Sequence, residues 1–106
     1  ITFRMFNVYG PGQDLNNLRQ GMVSIYLAQA IKSKKIIVKG SFKRIRDFIY
    51  IEDLVKGCLN QIYFTKRYNV SNICYGESTS IREVVYNIFD VFPENRSNFS
   101  IFPATF

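Results

Sequence analysis

The opening run Ile1-Thr-Phe-Arg-Met-Phe-Asn-Val8, which ends at Gly10-Pro11-Gly12, constrains the fold of this chain more than any other stretch. Eight residues rich in β-branched and aromatic side chains make a strand, and the Gly and Pro close behind fix a loop. In an open α/β sheet, ligands collect outside the carboxyl ends of the strands. Asn7 stands near that end, with both a donor and an acceptor to offer. Turn chemistry accounts for an Asn beside Gly and Pro equally well, so the role of Asn7 stays open between ligand contact and turn former.

Beyond the loop, Leu18, Met22, Ile25 and Gln29, flanked by Leu27, Ala28 and Ile31, follow helical spacing from about Asn17 to Ser33. Asn16 or Asn17 suits an N-cap, and a helix N-terminus can face an anion. Ile36 to Lys39 is a short strand ending in a turn at Gly40. The loop from Ser41 to Arg46 holds Lys43, Arg44 and Arg46, and a second short strand follows. The fork of donors on Arg46 matches phosphate oxygens, although a surface pairing with Asp47 or Asp53 would use it too. Lys43 and Arg44 read as solvated cations.

Glu52-Asp53 opens a second helix whose apolar face is Leu54, Val55, Cys58, Leu59 and Ile62. Tyr68 to Ile73 is the next strand. Ser80-x-x-Glu83 is a capping box for a third helix with Ile81, Val84, Val85, Ile88 and Phe89 inward, ended by Pro93. Phe99 to Pro103 is a last strand, set beside Ile36 to Lys39. The elements together predict an α/β fold.

With 106 residues the chain makes one domain, and a hydrophobic fraction of 47% makes it globular. No apolar run approaches the ~20 residues that span a bilayer, and no signal peptide opens the chain. Cys58 and Cys74 have no metal-ligand spacing, and histidine, the commonest zinc ligand and general base, is absent, so no metal site is expected. A reducing, cytoplasmic setting fits such cysteine usage. The formal charge of +6 raises the question of nucleic acid, but the basic residues are scattered and no nucleic-acid-binding motif accompanies them. A phosphate-bearing small ligand is the expected partner, with neither nucleic acid nor membrane. Ile1 already lies within a strand, so the chain reads as an excised piece.

Three blocks share a pattern: Arg4-x-Phe6-Asn7-x-Tyr9-Gly10-Pro11-x-Gln13; Arg46-Asp47-Phe48-Ile49-Tyr50-Ile51-Glu52-Asp53; and Tyr68-Asn69-Val70-Ser71-Asn72 followed by Thr79-Ser80-Ile81-Arg82-Glu83. In order and spacing they resemble the NAD-dependent epimerases and dehydratases of nucleotide sugars, in the extended short-chain dehydrogenase/reductase family. The resemblance implies the C-terminal part of a Rossmann-like NAD(P)-binding fold plus a small mixed α/β substrate-binding region. It implies a nucleoside-diphosphate sugar as substrate, NAD or NADP bound mainly by an absent N-terminal half, and a homodimer. Asn7, Asn17, Leu18, Ile37, Lys39 and Arg46 would contact the substrate, and Phe6 the nicotinamide end of the cofactor. Lys39 departs from the apolar or aromatic residue usual there, and Asp53 would hold a turn.

A GxGxxG and the family's proton-transferring Tyr-x-x-x-Lys are missing; Tyr63-Phe-Thr-Lys66 is one residue short and reads as structural. The resemblance therefore implies no catalytic residue within these 106 and an inactive piece. The alternative is a free-standing nucleotide- or nucleic-acid-binding module.

Overall fold

The structure, a computed structural model, describes residues 1–17, 19, 21–64 and 69–92, and the backbone of 100–104. The opening run is extended, as its composition requires, but it forms two strands, β1 (Thr2–Met5) and β2 (Asn7–Tyr9). The break at Phe6 arises because each half has a different partner. β1 runs parallel to β6 (Val70–Ile73), with Thr2 opposite Val70, and β2 runs parallel to β5 (Phe48–Tyr50), with Asn7 opposite Phe48. The backbone bonds mark the change: Phe6 N–H donates to Ile73 O at 3.1 Å, and the next amide, Asn7, donates to Asp47 O at 3.3 Å.

Helix α1 (Met22–Ser33) begins later than the spacing from Asn17 suggests. Gly21, at φ +78, sits in the left-handed region that a helix cannot continue through, so α1 starts only after it. Next comes β3 (Lys35–Lys39), whose alternation is that of a half-buried strand: Ile36 and Val38 inside, Lys35, Ile37 and Lys39 outside. β3 pairs parallel with β8 (Ser100–Ala104), as expected, with Ile36 opposite Ile101. β4 (Ile45–Arg46) and β7 (Thr79–Ser80) form one short antiparallel pair. The capping box is present in full at α3 (Ile81–Val91), where Ser80 Oγ accepts from Glu83 N–H at 3.1 Å and Glu83 Oε2 from Ser80 N–H at 3.0 Å. All five α3 residues expected inward are buried. Pro93 lies outside the described residues.

The elements enclose two cores. Tyr26 and Ala30 of α1, Ile36 and Val38 of β3, and the α3 face make the first; Ile49, Leu54 and Ile73, backed by Phe3, Val8 and Cys58, make the second. β5 joins them, since Phe48 packs on the first and its neighbour Ile49 belongs to the second. Asn7, paired with Phe48, stands on that seam.

Helix α2 (Ile51–Phe64) leaves most of its apolar face exposed. Of its apolar face only Leu54 is buried and Cys58 half-buried, while Val55, Leu59 and Ile62 are exposed, and Met5 and Val70 are exposed as well. Apolar side chains in that number normally lie against another surface. The isolated chain is expected to self-associate, its average mass rising with concentration in light scattering. A monodisperse monomer at high concentration would show that this face tolerates water.

Candidate functional site

Asn7 is fixed twice by one residue. Its main-chain N–H and its side-chain Nδ2 both donate to the Asp47 carbonyl, the latter at 2.9 Å. Beside it lies a cavity of about 210 Å³ lined by Asn7, Val8, Gln13, Gly21, Met22, Val23 and Phe48. The first residues of α1 thus form one wall. The left-handed Gly21 gives α1 no side-chain cap, and its first turn has no acid. Leading amides of a helix without such partners carry partial positive charge, which favours an anion. Gln13 is held against Gly21 by a hydrogen bond from Ser24 Oγ to its Oε1, and an added Cβ on Gly21 would collide with the Gln13 amide. The cavity therefore brings together an amide on a strand end, a second amide from the Gly10-Pro11-Gly12 loop, and a helix N-terminus.

Among the described residues, the other expected contacts do not line this cavity. Phe6 is exposed at the β1–β2 break, next to Asn7. Asn17 is not the N-cap of α1; its Oδ1 accepts from Arg19 N–H in an exposed turn, and Asn16 Oδ1 accepts from Lys32 Nζ. Leu18 lies outside the described residues. On β3, Ile37 N–H donates to Gln29 Oε1 at 2.9 Å, and the Lys39 carbonyl accepts from Arg44 Nη2 at 2.6 Å, so both backbone groups have protein partners. Arg46 is exposed on β4 with Nη1 bonded to the Ile45 carbonyl, and it has no carboxylate partner among the described residues. The surface pairing with Asp47 or Asp53 is not formed.

Arg44 is not a solvated cation. Its guanidinium ties the Lys39 and Ser41 carbonyls, and its own carbonyl accepts from Ile81 N–H at 2.8 Å, so it joins the β3 turn to the start of α3. Burial pushes the nearby Tyr26 phenol above its ordinary value, against the opposing pull of the Arg44 charge. Asp53, in the first turn of α2, is exposed, and the carboxylate that ties loops together is Asp47. Gln13 and Asp47 are the two residues of the site that sequence reasoning did not single out; both stood inside the quoted blocks. Tyr63, at the end of α2, is 80% exposed and Lys66 lies outside the described residues. Among the described residues no His, Cys, Asp or Glu group could hold a metal, and no helix is long and apolar enough to cross a membrane.

The sequence model of the NAD dependent epimerase/dehydratase family matches residues 1–74. The chain is 32% identical over 88 residues to dTDP-4-dehydro-6-deoxyglucose reductase of Escherichia coli, covering 83% of this chain and 28% of that protein. To ADP-L-glycero-D-manno-heptose-6-epimerase of Brachyspira hyodysenteriae it is 30% identical over 107 aligned positions, covering 97% of this chain and 33% of that one. UDP-N-acetylglucosamine 4-epimerase from Methanobrevibacter ruminantium M1, solved in complex with UDP-N-acetylmuramic acid, superposes with a TM-score of 0.82 at 25% identity, covering 97% of this chain and 32% of that one. The chain spans about a third of the length of these relatives, or somewhat less.

Proposed function

Since the chain belongs to the NAD dependent epimerase/dehydratase family, we propose that it is the C-terminal, nucleotide-sugar-binding part of an NAD(P)-dependent epimerase or dehydratase that works in the cytoplasm as a homodimer. The observation that carries this reading is the cavity in which the doubly held Asn7 faces the uncapped N-terminus of α1. A nucleoside-diphosphate sugar combines an anion with many hydroxyls. The helix amides suit the first, and the carboxamides of Asn7 and Gln13 suit the second.

The share of these residues in the reaction is to bind and orient. Oriented binding lowers the barrier of the chemical step by removing the entropy of bringing the partners together. Phe6 presents an exposed ring beside Asn7, a surface that fits the flat nicotinamide end of the cofactor. A nicotinamide held beside Phe6 would supply the hydride acceptor for a sugar that passes through a keto form. Proton transfer falls to residues outside the 106 of this chain.

In the full-length protein, Asn7→Ala is expected to raise the dissociation constant for UDP or dTDP roughly 2- to 10-fold, the range of one hydrogen bond, and to leave NAD binding unchanged. Calorimetry with each ligand reads this directly. Equal loss of both affinities would mean that Asn7 only supports the loop, and the site reading would fall.

A further inference from the structure

We propose that Asp47 is the positioning residue of this site, the group that sets where Asn7 stands; the proposal rests on the nucleotide-sugar reading above. Asp47 is bonded to two segments far from it in sequence. Its Oδ1 accepts from Tyr75 N–H and its Oδ2 from Gly76 N–H, each at 2.7 Å. Consecutive amides at a turn with a left-handed glycine, here Gly76 at φ +96, form a concavity suited to an anion, and the Asp47 carboxylate fills it. On its other side the Asp47 carbonyl takes both N–H donors of Asn7. The loop after β6 and the start of β2 are thereby fixed to one half-buried residue.

The bond from Asn7 also settles which way its carboxamide faces. A backbone carbonyl can only accept, so the atom bonded to it must be Nδ2. The oxygen Oδ1 is then the end left for a ligand, and it recognises a donor such as a ribose or sugar hydroxyl. Without the carboxylate anchor at Tyr75 and Gly76, the Asp47 peptide is held only by the strands on either side of it, and this orientation is kept less strictly.

A double-mutant cycle in the full-length protein tests the proposal. Asp47→Asn keeps size and one acceptor but sets an NH₂ against one of the two backbone amides. The dissociation constants for UDP and dTDP are expected to rise by no more than Asn7→Ala raises them, roughly 2- to 10-fold, with NAD binding altered by less than about twofold. In an Asn7→Ala background the same substitution should add less than about twofold, because its effect runs through Asn7. A group that only supports the fold would weaken all ligands alike, and its effect would persist in the Asn7→Ala background; that outcome overturns the proposal. Unchanged UDP affinity in Asp47→Asn, where Asn7→Ala alone weakens it, overturns the proposal and leaves the site reading intact. If Asn7→Ala alone has no effect, both fall. Should Asp47→Asn not fold, Asp47→Glu keeps the charge and enters the same cycle.

Discussion

In the full-length protein, Arg46→Lys is expected to raise the dissociation constant for UDP or dTDP by about tenfold or more. Arg46 lies on β4 next to Asp47, exposed, with one nitrogen on the Ile45 carbonyl. The carboxylate nearest in sequence, Asp47, does not pair with it and instead accepts two backbone amides. Among the described residues Arg46 has no carboxylate partner, and its remaining donors suit the fork geometry of a diphosphate. Lysine keeps the charge but offers a single point, losing at least one hydrogen bond to a charged group, worth about 1.5–3 kcal/mol. Arg44, the neighbouring arginine, is unsuitable as a control because its guanidinium holds the Lys39 and Ser41 carbonyls. Lys43, an exposed loop cation, serves instead, and Lys43→Gln should change binding little. If calorimetry finds both variants binding like the parent, Arg46 is an ordinary surface cation.

Gly10→Ala is expected to cost about 2–5 kcal/mol of folding stability, the combined scale of backbone strain and overpacking. Gly10 has φ +152, and a Cβ built on it would lie 2.4 Å from Ile51 Cγ2, 3.1 Å from Ile51 Cβ and 3.3 Å from Tyr50 Cε2. Rotating the Ile51 side chain relieves the first contact but not the second, because Cβ moves only with the backbone of α2. Gly12 separates the two causes. It has φ +92 and nothing within 4 Å, so Gly12→Ala meets strain alone, about 1–3 kcal/mol. Urea unfolding of both variants gives the comparison. A loss at Gly10 no greater than that at Gly12 would show that α2 yields to the added carbon.

Features fixed by neighbours in sequence were legible from the residues. The capping box at Ser80 and Glu83, the inward face of α3 and the short strand at β3 depend on residues within one element, and all are present. The β3–β8 pairing was also foreseen. Other features fixed by distant partners were not. Nothing between Ile1 and Val8 punctuates the run at Phe6, because the break reflects β6 and β5 and no local signal. The start of α1 was set too early because the apolar period continues upstream of Gly21, whose left-handed conformation overrides it. The face of α2 was read correctly as apolar, but apolarity does not say whether a partner is at hand. In the site, Asn7 could be singled out by its place at a strand end. Asp47 could not, since a carboxylate bonded to backbone amides leaves no pattern in side-chain types.

The parallel pairings also govern how this stretch is assembled as it is synthesised. Thr2 needs Val70, Asn7 needs Phe48, and Lys35 needs Ser100. Parallel partners this far apart in sequence must close long loops before either strand gains its bonds, which slows folding. At roughly 5–20 residues per second on the ribosome, β1 emerges several seconds before its β6 partner exists. Over that interval Phe3 and Met5 sit on an unmatched strand edge, a target for chaperones that capture extended apolar segments. The helices α1 and α2, closed by local bonds, can form in the meantime, so the strand at Thr2, made well before its partner at Val70, is completed late.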